Sequence, residues 1–209
     1  MAKLQLSKSA LAREQKSLRT YQRFLPSLDL KRQQVMAERA KAERALGETR
    51  RAVERLQREA GERLPMLALR EVDLTDLAKV TAVRIGSENV VGTQVPTLEA
   101  VEVEVRPYAR MGRPQWVDRT VEMLREMLEL RLRAQVEARR LALLEQAVKT
   151  VTQRVNLFDK VLIPEAQRNI KRIQIYLSDM ETAAVVRSKI AKKKHAAAGA
   201  AMGGAMGAA

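Results

Sequence analysis

Two long stretches of this chain carry apolar residues at alternating steps of three and four, in stripes too narrow for a globular core. The first runs Leu18, Tyr21, Leu25, Leu28, Val35, Ala42, Leu46, Val53 and Leu56, interrupted at Arg32, Arg39 and Thr49. The second runs Leu141, Leu144, Val148, Val151, Val155, Phe158 and Leu162, then Ala166, Ile170, Ile173, Leu177, Met180 and Ala184. A thin stripe at heptad spacing marks a coiled coil, because a helix lying on a core shows a broader apolar face. A helix with so little to bury gains little from folding alone, so each stretch needs a partner. With one segment connecting them, the expected fold is mostly α: two long helices in an antiparallel left-handed coiled-coil hairpin, with a small β-hairpin in the middle.

The boundaries follow from local chemistry. Residues 1–64 form the N-terminal long helix, running from about Lys8 to Arg63 and ending by Gly61–Pro65. Pro26 lacks an amide proton and clashes with the preceding turn, which predicts a kink near Phe24–Pro26. Residues 114–195 form the C-terminal long helix, opening at Pro114, where proline suits the first turn. Roughly eighty residues of helix span on the order of 120 Å. From Phe158 to Ile170 the seam takes three steps of four, a stutter that locally unwinds a left-handed supercoil, and Pro164 sits inside it.

Residues 65–113 change character. Val83 and Ile85 alternate with polar neighbours before Gly86, and Val101, Val103 and Val105 alternate with Glu102 and Glu104. Period-two patterning with β-branched residues predicts a β-hairpin at about 80–106, with a short helix before it at Asp73–Lys79. Gly92-Thr93-Gln94-Val95-Pro96 supplies the turn chemistry. Residues 196–209 are an Ala/Gly/Met stretch of low complexity, expected to be a disordered tail.

Composition excludes several kinds of function. With no cysteine there are no disulfides or thiolate sites, and the one histidine, His195, lies among lysines. No phosphate-binding glycine loop, HExxH or GxSxG pattern occurs, so catalysis, cofactor and metal are not expected. Glu102 and Glu104 read as a solvated strand face or an interface patch. Neither an N-terminal apolar run nor a span of about twenty apolar residues is present, which predicts a soluble, cytoplasmic protein. The net charge of +14 is uneven: residues 1–70 carry 17 Lys/Arg against 8 Asp/Glu, residues 71–105 carry 2 against 7, and residues 106–209 carry 20 against 10. Basic flanks around an acidic middle predict different partners for different parts. The cluster Arg187, Lys189, Lys192, Lys193 and Lys194 suits a partner-facing helix end or a nucleic-acid phosphate backbone. No aromatic is interleaved for base stacking, which favours the first. Trp116 and Tyr108 read as packing at a domain junction.

The run Val151-Thr152-Gln153-Arg154-Val155-Asn156-Leu157-Phe158-Asp159-Lys160-Val161-Leu162-Ile163-Pro164 resembles the C-terminal helix of the D subunit family of bacterial V/A-type rotary ATPases. The basic end at Lys189–Lys194 resembles that family too. So do Asn89-Val90-Val91-Gly92 and Val95-Pro96-Thr97-Leu98 in the middle, and Leu25-Pro26-Ser27-Leu28-Asp29-Leu30-Lys31-Arg32 near the start. The likeness spans about residues 8–195; Pro26 departs from many members, and the stretch after His195 matches nothing in the family. It implies a non-catalytic central rotor stalk that couples ATP synthesis or hydrolysis to H+ or Na+ transport. The implied partners are catalytic A and non-catalytic B subunits, a small F subunit and a funnel-like socket subunit on the c-type ring, at the cytoplasmic face of the membrane. Arg154, Asn156, Pro164, Arg187, Lys189 and Lys192–Lys194 are then expected to face the A/B head, with Asn89, Gly92 and Pro96 in the hairpin turn. The other readings are a different ATPase-associated stalk, such as a secretion-system homologue, and a basic coiled coil that binds nucleic acid.

Overall fold

The computed structural model describes residues 5–68, 77–107 and 114–205, with residues 67–68 and 195–205 as backbone only. Helix α1 is Lys8–Arg63, followed by a 3-10 turn at Pro65–Ala68. Strands β1, Ala78–Val90, and β2, Thr93–Val105, pair antiparallel. Helix α2 is Trp116–Leu157, a π-helical turn occupies Phe158–Leu162, and α3 is Ile163–Ala205. The chain divides into two compact units, one formed by Met1–Leu28 with Arg154–Ala209 and the other by Asp29–Gln153.

The ends of α1 are written locally. Ser7 caps it, its Oγ accepting the Ala10 N–H at 3.2 Å, which satisfies one of the donors a helix start leaves open. At the other end Pro65 disfavours helical geometry at Leu64. Pro26 lies inside the helix, which continues through it as one element. The Gln22 carbonyl loses its partner there, and the helix tolerates the loss because water reaches an exposed face.

In the unit 29–153 the seam is buried as its spacing predicts. Val35 and Leu144 are fully buried, with Ala42, Leu46, Leu56 and Val151 nearly so. Thr49, an expected interruption, is itself buried in the seam. The helices run antiparallel: Arg39 Nη2 lies 3.4 Å from Glu145 Oε1, and Arg119 Nη2 lies 3.4 Å from Glu59 Oε1. Numbers rise on one helix as they fall on the other. The β-hairpin lies against this pair and is fastened at both ends. At its base Leu77 and Val105 pack on Val117 and Val121, and at its tip Val90 and Val95 pack on Val35, Ala42 and Leu144. The lengths agree, since thirteen strand residues span about 43 Å and the helix from Val117 to Leu144 about 40 Å.

In the unit made of 1–28 and 154–209 the same antiparallel sense holds. Lys8 Nζ lies 3.6 Å from Glu181 Oε1, and the rings of Tyr21 and Phe158 meet edge to face at 5.5 Å. The expected stutter is taken up by the π turn, in which the Ile163 N–H bonds back to the Phe158 carbonyl. The wider turn lets residues four apart stay on one side, so Phe158, Leu162, Ala166 and Ile170 remain covered while Val161 is exposed.

Three expectations differ from the structure. Met180 and Ala184 are exposed rather than part of the seam, at the level where α1 begins with Lys8 near Glu181. Lys79 belongs to β1 rather than to a short helix, and Asp73–Asp76 of that expected helix lie outside the described residues. The stretch expected to be disordered is helical in backbone as far as Ala205, in keeping with the high helix propensity of alanine, and 206–209 lie outside the described residues. Leu144→Ala is expected to cost about 2–5 kcal/mol of stability, and Met180→Ala less than about 0.5 kcal/mol, both checked by thermal unfolding followed by circular dichroism.

Candidate functional site

The far end of α3 combines the charges and apolar groups that folding leaves unused. Beyond Glu181, Val185, Val186 and Ile190 are each about half exposed, at 53%, 48% and 52%. Arg187, Lys189, Lys192, Lys193 and Lys194 are all exposed on the same helix end. Arg187 keeps one local bond, its Nε donating to the Ala183 carbonyl at 3.2 Å. Water can solvate the cations, but it gains nothing from the three aliphatic side chains. The combination suits an interface with a partner of opposite charge.

Arg154 and Asn156 lie elsewhere. Both are exposed in the last turn of α2 and flank Val155, which is buried in the seam. Pro164 is half-buried just after the π turn, and its carbonyl accepts a bond from Arg168 Nε at 3.3 Å. About 50 Å of helix separates Arg154 from Arg187 at the usual rise. The residues expected to face one partner therefore form two stations, not one site.

The hairpin turn is tighter than expected. Val91 and Gly92 alone make it, with φ of 52° and 84°, and Asn89 Oδ1 accepts the Gly92 N–H at 2.8 Å. Two successive positive φ angles give the turn that matches strand twist, and Asn89 is occupied in holding it. Valine rarely takes such a φ. Here its side chain packs against the cluster at Val35 and Leu144, which offsets the strain. Pro96, expected in the turn, stands in β2 opposite Ser87. Counted outward from a two-residue turn, that pair is not hydrogen-bonded, so the missing N–H costs the ladder nothing.

Several polar contacts that organise this unit join residues distant in sequence. Arg140 Nη2 reaches Glu88 Oε2 at 2.8 Å and ties the hairpin tip to α2. Between the tip and base contacts a cavity of about 310 Å³ opens, lined by Glu38, Lys41, Pro96, Arg133, Glu137 and Arg140 among others. The outer hairpin face holds Arg84 against Glu102 at 2.7 Å, with Glu104 exposed. Arg119, bonded to Glu122 and close to Glu59, has its pKa raised by those carboxylates and stays charged. Trp116 packs on both neighbouring clusters, as a junction residue should, while Tyr108 lies outside the described residues. None of these pairings showed in the sequence, whose apolar seam marked only the interruptions at Arg32, Arg39 and Thr49. Among the described residues no group of three or more His, Cys, Asp or Glu is placed to hold a metal ion, and no helix is long and apolar enough to cross a membrane.

Two long helices that pair antiparallel, with a small two-stranded β-hairpin between them in sequence, define a mostly helical protein of coiled-coil type. A family model for the ATP synthase D subunit matches residues 10–193. The V-type ATP synthase D subunit of Borreliella burgdorferi is 33% identical over 192 residues, covering 92% of this chain and 95% of the relative. The protein of the same name from Chlamydia felis is 32% identical over 195 residues, covering 92% and 94%, and that from Chlamydia pneumoniae 31% over 195, covering 91% and 92%. The chain belongs to the ATP synthase D subunit family.

The turn geometry yields a test. Gly92→Ala forces a Cβ onto a positive φ and is expected to destabilise the protein by about 1 kcal/mol, read as a lower unfolding midpoint with the helical signal unchanged.

Proposed function

We propose that this protein is the central rotor stalk of a V/A-type rotary ATPase, transmitting torque between a membrane ion-translocating ring and an A/B catalytic hexamer. It performs no chemistry itself and couples ATP synthesis or hydrolysis to H+ or Na+ transport. The observation that carries this reading is the run of α3 from Val185 to Lys194, exposed, cationic and apolar at once, in a chain whose relatives are named as D subunits of V-type ATP synthases. The paired helices supply stiffness. The seam breaks at Arg32, Arg39 and the stutter beside Pro164 supply asymmetry. An asymmetric shaft turning among equivalent catalytic pockets stabilises a different conformation of each pocket at each angle, through differential contact energy.

In this reading Arg187–Lys194 face acidic loops of the A/B head. Arg154, Asn156 and Pro164 form a second contact station, and the acidic hairpin face meets the F subunit and the socket on the ring. The protein sits with its complex at the cytoplasmic face of the membrane. Exposed charge pairs are weak and screened, which suits a bearing that must let go at every step. The test is co-expression with A, B and F subunits. The chain is expected to co-purify with an A/B hexamer and F, and Lys192→Gln/Lys193→Gln/Lys194→Gln is expected to weaken assembly or coupled ATPase activity, more so at low salt. Unchanged coupled activity in that variant removes the role given to the cluster. Tight, steeply salt-dependent DNA binding by the isolated chain, with no hexamer recovered, favours the nucleic-acid reading instead.

A further inference from the structure

The β-hairpin is seated at its two ends and not between them. At the base, Leu77 and Val105 pack on Val117 and Val121, and the Arg106 N–H donates to the Leu77 carbonyl at 2.9 Å. Further out the ladder is broken twice, between Val80 and Ala82 and again between Arg84 and Ile85. The first break leaves Thr81 as an extra residue on β1 and the second leaves Glu99 extra on β2, so the register recovers before the turn. Bulges bend a ribbon and interrupt its hydrogen bonds, and two of them in succession make a hinge. Beyond this hinge Pro96, Thr97 and Leu98 border the cavity of about 310 Å³ and belong to neither apolar cluster.

The docked tip carries two local penalties. Val91 has a φ of 52°, which a β-branched residue rarely takes, and holds it where its side chain packs beside Val35 and Leu144. Glu137 Oε2 is buried with no hydrogen-bond partner, although Arg140 stands three residues further along α2 and both line the cavity. Residues three apart on a helix are neighbours able to pair. Arg140 is engaged elsewhere, its Nη2 lying 2.8 Å from Glu88 Oε2 on the hairpin.

We propose that Arg140 is a two-position latch, held by Glu88 while the hairpin tip is docked and by Glu137 when the tip lifts from the helix pair about the bulges. Lifting uncovers Val90 and Val95, so the docked form predominates. It also frees the Val91 turn and gives the buried carboxylate a partner. These two gains oppose the loss of apolar contact and keep the lifted form within thermal reach. Local opening of this kind is an equilibrium that a binding partner can bias. Arg140 sets the balance because in the docked form it satisfies one of the two carboxylates and leaves the other without a hydrogen bond to Oε2.

The chain has no cysteine, so an introduced thiol reports opening without background. In the full-length protein Val95→Cys, at a position 1% exposed, reports the tip, and Val117→Cys, at a fully buried position, reports the base. Each is reacted with excess thiol reagent under native conditions and corrected for its rate in the unfolded chain. The tip cysteine is expected to react at least about tenfold faster than the base cysteine. Glu88→Gln is expected to speed labelling at the tip about two- to fivefold, the range of one half-exposed ion pair. Glu137→Gln is expected to slow it at least about threefold, because the docked form then buries an amide in place of a carboxylate and the lifted form offers Arg140 no charge. In the Arg140→Met background the slowing by Glu137→Gln is expected to fall below about twofold, a coupling between residues that make no ion pair in the docked form. Val90→Cys is the second tip reporter if Val95→Cys disturbs the fold. Labelling at the tip no faster than at the base means that the hairpin leaves the helices only by unfolding, and the proposal fails. It fails equally if Glu137→Gln speeds tip labelling or leaves it unchanged, or slows it as much without Arg140 as with it.

Discussion

One layer of contacts holds the unit 29–153 together, the level at which Val35 and Ala42 of α1 meet Leu144 of α2 beneath Val90 and Val95 of the β-hairpin. Neither helix has enough apolar surface to fold by itself, and a two-stranded hairpin alone is marginal in water. Each of the three elements becomes stable by covering the other two. Beside this layer the half-exposed Arg39 of α1 reaches across the pair to Glu145 of α2 at 3.4 Å.

The proposed contact surface lies where the pairing of α1 with α3 ends. α1 begins at Lys8, which meets Glu181, and α3 continues well past that point. Among the described side chains beyond that point, lysine and arginine are concentrated around half-exposed aliphatic residues. A helix end of this kind keeps its fold only if local hydrogen bonds and helix-forming residues sustain it. Cations near a helix C-terminus also suit the macrodipole. The proposed contact and the local stability of this segment therefore draw on the same residues.

Much of the fold was legible in the sequence. Heptad spacing located both helices, the single segment connecting them gave their antiparallel pairing, and the alternation around Val83 and Val101 located both strands; the stutter at Phe158–Ile170 marked an irregularity that the structure takes up as a π turn. What the sequence did not disclose depends on distance along the partner rather than on local pattern. The seam continues on paper through Met180 and Ala184, but both are exposed at the level where α1 begins. Pro96 looks like a turn residue until the turn proves to be Val91-Gly92, made possible by a valine whose strain is offset by tertiary packing. The ties Glu88–Arg140 and Glu59–Arg119 join residues far apart in the chain, which no periodicity reveals. Of the candidate contact residues, the basic helix end was legible as a cluster. Its separation from Arg154 and Asn156 was not, because the residue types alone give no distance.

The claim that this chain is a turning shaft is tested most directly by watching it turn. A probe attached through Ser87→Cys, an exposed position on β1 and the chain's only cysteine, can be followed on single A/B complexes fixed to a surface during ATP hydrolysis. Stepwise rotation in one direction, at a rate that follows ATP concentration, is the predicted result. A probe that stays still while the same complexes hydrolyse ATP at full rate would contradict the account.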